Sequence, residues 1–171
     1  MREEGARSWA RWLLLSVAVI ALDLATKAWI TSAFSYGEVR EVTPFFNLVL
    51  VHNTGAAFSF LANAGGWQRW FFTAVAIVIS VVVLVMLRRQ HRDPWVAAAL
   101  ALVLGGALGN LYDRLTLGHV VDFVQLHAGG YYWPSFNVAD SAICVGVALL
   151  VWDSFRNVPA PGAAPAPQEK P

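Results

Sequence analysis

The chain has 171 residues, of which 57% are hydrophobic and 13% charged, with a mean hydropathy of +0.53. Water-soluble domains carry about 25% charged residues, so this composition argues for a bilayer as the solvent. A net charge of +1 supplies no basic field for nucleic acid, and the single cysteine, Cys144, excludes an internal disulfide.

The first apolar run, about 12–31, reads WLLLSVAVIALDLATKAWIT. Arg2, Arg7 and Arg11 precede it, as in the n-region of a signal peptide. Asp23 and Lys27 interrupt the run and no small-residue cleavage site follows, so an uncleaved membrane anchor is expected. The loop at about 35–68 holds two strand-like runs, 38–42 and 45–52, split by Thr43-Pro44 and followed by the turn signal HNTG. Two further apolar runs, about 70–87 and 95–112, flank the basic turn of Arg88, Arg89 and Arg92. A second loop, about 114–137, has a strand candidate in HVVDFVQL, and a fourth apolar run occupies about 138–155. Residues 158–171, rich in Pro and Ala, are expected to be disordered.

Each apolar run approaches the roughly 20 residues that cross a bilayer core, where only a helix satisfies its own backbone. The expected fold is therefore a single domain over 1–157: four transmembrane helices with a small β-rich cap. Eight Trp residues, many near the ends of these runs, suit interfacial anchoring. Basic residues concentrate before the first run, between the second and third, and after the fourth at Arg156. The positive-inside rule then places both termini in the cytoplasm and the two longer loops, with the cap, outside.

Polar residues gather toward the outer ends. Asn110, Asp113 and Arg114 share a helical face at i, i+3 and i+4, as do Asn137 and Asp140. Asn53 and Asp122 lie in the two outer loops. The GGALG stretch, Gly105–Gly109, lets a neighbouring helix approach closely. Asp122 and Asp140 are the candidate catalytic pair: two carboxyls in one low-dielectric cleft hold a single proton, so one activates water while the other polarises a carbonyl. Spacing alone leaves open a helix-capping Asp140 with a solvated Asp122. Asp23 and Lys27, at i and i+4, read as a buried ion pair that tethers the first span, with a proton relay or a Ser/Lys peptidase as lesser alternatives. Cys144, inside the fourth run, reads as a buried packing residue. His52, His91, His119 and His127 are scattered and read as loop or interface residues. No metal or other cofactor is expected.

Two blocks, GGALGNLYDRLTLGHVVDF and FNVADSAI, resemble the signature blocks of the lipoprotein signal peptidase (signal peptidase II) family, as do HNTGAAFS and DLATK. The resemblance covers nearly the whole chain except the Pro-rich tail. It implies an aspartyl endopeptidase of the bacterial inner membrane that cuts diacylglyceryl-modified prolipoproteins just before the lipidated Cys, works among membrane lipids as a monomer and needs no cofactor. Carried over by motif, Asp122 and Asp140 are the catalytic dyad near the outer leaflet. Asn53, Asn110, Arg114 and Asn137 line or brace the site, and Asp23, Lys27 and Asp113 support it. A proton-coupled transporter and a non-enzymatic assembly factor are the competing readings.

Overall fold

The computed structural model describes residues 2–55 and 66–156. The expected disordered tail, and the AAFSF stretch after HNTG, lie outside the described residues. The elements run α1 (Arg2–Ala33), β1 (Val39–Thr43), β2 (Phe46–Asn53), α2 (Trp67–Gln90), α3 (Pro94–Thr116), β3 (Val120–Ala128), β4 (Tyr131–Tyr132) and α4 (Val138–Arg156). Four helices are long and apolar enough to cross a membrane: Trp9–Ala33, Trp67–Gln90, Pro94–Thr116 and Val138–Arg156.

The helix α3 is the hub. In its most apolar stretch 67% of the residues are buried, against 22%, 22% and 17% in α1, α2 and α4, so the other three surround it and turn their outer faces to lipid. Small residues make this packing close. A Cβ on Gly106 would overlap the Ala139 carbonyl oxygen, one on Gly146 would lie 2.6 Å from the Ala99 carbonyl, and one on Gly105 would lie 2.9 Å from the Ser16 carbonyl. Glycine therefore sets the helix separation on both sides of α3. Leu87, Leu100, Val103 and Leu104 fill the bundle core between α2 and α3. The start of α3 follows from local chemistry: Asp93 Oδ1 accepts from the Trp95 and Val96 N–H groups, with Pro94 at the first helical position.

The cap is an antiparallel sheet in the order β1-β2-β3-β4. Gly129 and Gly130, at φ 57° and 82°, make the two-residue turn between β3 and β4, a turn that needs positive φ at both positions. Leu50, Val121 and Phe123 of the sheet pack on Ile30 of α1 and on Phe34 just beyond its end, seating the cap on one end of the bundle. After β4 the chain returns along β3: the Phe136 N–H donates to the Val124 carbonyl, and the Phe136 carbonyl accepts from Phe123 and Val124. The first residues of α4 are thereby held beside β3.

Candidate active site

The cap end of the bundle collects polar side chains from five elements. Asp122 points from β3, where Val51 and Asp122 are paired across to β2. Both its oxygens accept amide hydrogens, Oδ2 from Asn53 Nδ2 at 3.0 Å and Oδ1 from Asn137 Nδ2 at 2.7 Å. Asp140 sits in the first turn of α4. Its Oδ1 accepts from Asn110 Nδ2 at 2.7 Å and its Oδ2 from the Asn137 N–H at 3.3 Å. The Asp140 N–H in turn donates to Asn137 Oδ1 at 2.9 Å, which makes a reciprocal cap for α4. Asp140 is thus a capping residue and a member of the cluster together.

Asn137, 0% exposed, joins the two carboxylates. Its Nδ2 also meets Asn110 Oδ1 and the Val121 carbonyl, each at 3.2 Å. Asn53 is held by its own turn, since its Oδ1 accepts from the Gly55 N–H at 3.0 Å. The HNTG signal therefore does two things: it ends β2 and aims an amide at Asp122.

A second carboxylate pair lies next to the dyad candidates. Lys27 Nζ is 2.7 Å from Asp23 Oδ2 and 2.9 Å from Asp113 Oδ2, and it donates to Asn110 Oδ1 at 3.1 Å. Asp23 Oδ1 accepts from the Ala139 N–H at 2.9 Å, and Asp113 Oδ2 accepts from the Val121 N–H at 3.1 Å. The expected tether is therefore an interhelical one, linking α1 to α3, α4 and β3. Room for it comes from Gly109, where a Cβ would lie 2.7 Å from Asp23 Oδ2. The shared face expected for Asn110, Asp113 and Arg114 divides: Asn110 and Asp113 turn to Lys27, whereas Arg114 Nη2 donates to the Gly55 carbonyl at 3.2 Å.

A cavity of about 520 Å³ opens beside this network. Asn53, Asn110, Arg114 and Asp140 form its polar wall, and Leu126, Trp133, Phe136, Ile143 and Val145 its apolar one. Cys144 lines it as well and is exposed, which corrects the expectation of a buried packing residue. The side of α4 that carries Cys144 faces away from α3, so an apolar sequence there meets the cavity and lipid, not core. Asp122 is 2% exposed. Burial, and then the neighbouring Asp140, push its carboxyl up to about 7 against the opposing pull of the Asn53 and Asn137 amides. Two residues read as scattered are brought together: the His52 and His119 rings stack at 3.9 Å, and burial holds both imidazoles below their usual range. Trp133 and Phe136 supply an apolar lining whose only local signal in the sequence is the WPSF string just before Asn137. Among the described residues, no three His, Cys, Asp or Glu side chains gather as a metal-binding group.

Four spans, a sheet cap, and buried carboxylates beside an apolar cavity describe a membrane-embedded enzyme of the hydrolytic kind. The family model for signal peptidase (SPase) II matches residues 15–156. The chain is 55% identical over 147 residues to a lipoprotein signal peptidase of Ralstonia nicotianae, covering 86% of this chain and 85% of the relative. It is 52% identical over 151 residues to one of Paraburkholderia phymatum, covering 88% and 91%. Two solved structures, both described as bacterial membrane enzymes determined by the in meso method, share the fold. One, at 2.3 Å resolution, has a TM-score of 0.81 at 29% identity, covering 92% of this chain and 95% of that one; the other, at 1.9 Å, has 0.76 at 31%, covering 87% and 95%. The chain belongs to the signal peptidase II family, and its activity is that of a membrane peptidase.

Proposed function

We propose that this protein is an aspartyl endopeptidase of the bacterial inner membrane. It removes the signal peptide from diacylglyceryl-modified prolipoproteins by cutting just before the lipidated Cys. The observation that carries this reading is the pair Asp122 and Asp140, linked through Asn137 beside a cavity that is polar on one wall and apolar on the other. A transporter would need polar groups through the membrane depth, whereas this set gathers at one end of the bundle. With the basic turn Arg88–Arg92 and Arg156 at the opposite end, both termini are cytoplasmic and the site meets the outer leaflet.

The chemistry follows from unequal environments. Asp122, pushed up to about 7, holds the shared proton, hydrogen-bonds the scissile carbonyl oxygen and passes that proton to it as water attacks. Asp140, ionised and lining the cavity, takes a proton from water as its oxygen attacks the carbonyl carbon. The proton on Asp140 then passes to the departing amide nitrogen as the C–N bond breaks, and Asp122 recovers its proton from the tetrahedral intermediate. Access to Asp122 requires Asn53 to exchange its bond to the carboxyl for one to substrate. Arg114 anchors the turn at Gly55 and offers its remaining N–H groups to substrate carbonyls. The apolar wall accommodates the end of the signal helix or the acyl chains, and the enzyme works as a monomer among lipids.

The test is incubation of the purified protein with a prolipoprotein carrying the diacylglyceryl group and with the same precursor lacking it. Mass spectrometry should find a product beginning with lipidated Cys from the first alone. Cleavage of both alike, or of neither, contradicts the substrate assignment.

A further inference from the structure

Lys27 is buried, 4% exposed, and its ammonium has three N–H bonds. Three acceptors surround it within 3.1 Å: Asp23 Oδ2, Asp113 Oδ2 and Asn110 Oδ1. A group that only donates selects the carbonyl end of the Asn110 amide, so the other end, Nδ2, must turn toward Asp140 Oδ1, which it reaches at 2.7 Å. The second donor on Asn110 Oδ1, Asn137 Nδ2 at 3.2 Å, reinforces the same orientation. A tether between helices would need only the two carboxylates. The third contact aims an amide at the site.

We propose that Lys27 is a positioning residue for peptide hydrolysis, acting through Asn110: its ammonium locks the Asn110 amide so that Nδ2 holds Asp140 in its reactive orientation. The inference rests on the aspartyl peptidase reading above. The charge of Lys27 has a second effect. The charged groups acting on Asp122 are Lys27 from α1, Asp140 from α4 and Arg114 from α3, and Lys27 favours the ionised form of Asp122. Without it, the alkaline limb of the rate profile, set by Asp122, moves to higher pH.

The experiment uses the full-length protein and a diacylglyceryl-modified prolipoprotein, with kcat, KM and the pH profile measured for wild type and Lys27→Met. Removing Lys27 alone strands two buried carboxylates, which threatens folding. The variant Asp23→Asn/Lys27→Met/Asp113→Asn removes all three charges together, so that no buried carboxylate is stranded, and is measured beside it. Positioning predicts that folded protein in either variant loses about 100-fold in kcat, with KM unchanged, and that the alkaline limb of folded Lys27→Met lies at higher pH. A folded variant with wild-type kcat and pH profile, or loss of folding in both variants, assigns Lys27 to the scaffold alone and overturns the proposal. Wild-type protein that fails to cleave the substrate sinks the peptidase reading itself, a separate outcome.

Discussion

Asn137 touches both candidate carboxylates, donating to Asp122 at 2.7 Å from its side chain and to Asp140 at 3.3 Å from its backbone. Neither carboxylate faces bulk water freely, and this burial gives Asp122 a titration near neutrality. Two consequences are measurable. Activity should fall as pH rises through about 7, where Asp122 loses its proton; a flat profile from pH 6 to 8 would contradict the acid role. Stability should also fall with rising pH between roughly 4 and 7. In that window the native Asp122 binds more protons than the unfolded one, so the slope of unfolding free energy against pH is negative. Melting of wild type and Asp122→Asn across that range checks this, since the substitution should flatten the slope.

At the scale of elements, glycine decides how near α4 comes to α3. Because a Gly106 Cβ would overlap the Ala139 carbonyl oxygen, Gly106→Ala must push the helices apart. The cost is about 1–3 kcal/mol, with a lower Tm, and turnover falls because Ala139 precedes Asp140. Asp93→Ala, at the far end of α3, should cost about 1 kcal/mol through the lost cap and leave kcat at its wild-type value. A loss of kcat there would mean that the bundle transmits strain along its length. Much at this scale was legible in the sequence. Apolar length marks the four spans, Thr43-Pro44 marks the break between β1 and β2, and HNTG marks the end of β2. The hub position of α3 was not legible, because helices apolar on every side show no periodic face to read. The exposure of Cys144 was missed for the same reason. The Lys27–Asp113 pair was invisible too: Asp23 lies one helical turn away, whereas Asp113 is reached only by folding α3 against α1. The dyad candidates were named from two motif blocks, but the Asn137 bridge between them depends on Phe136 pairing with β3.

Across the whole molecule, charge and polarity are segregated by end. The cap end holds the buried carboxylates, and the other holds Arg88, Arg89, Arg92 and Arg156. A fluorescent protein fused at the C-terminus should therefore fluoresce in the cytoplasm, whereas alkaline phosphatase fused there should be inactive; the reverse pattern would invert the topology. The sheet closes this end by packing on α1 and by pinning the start of α4, so the site depends on the cap and the bundle together. The most direct measurement is turnover of a diacylglyceryl-modified prolipoprotein by wild type, Asp122→Asn and Asp140→Asn, with thermal melting to establish folding. Each substitution should lower the rate by about 10²–10⁴-fold in protein that remains folded. Undiminished cleavage by either folded variant would remove that aspartate from the mechanism and contradict the dyad.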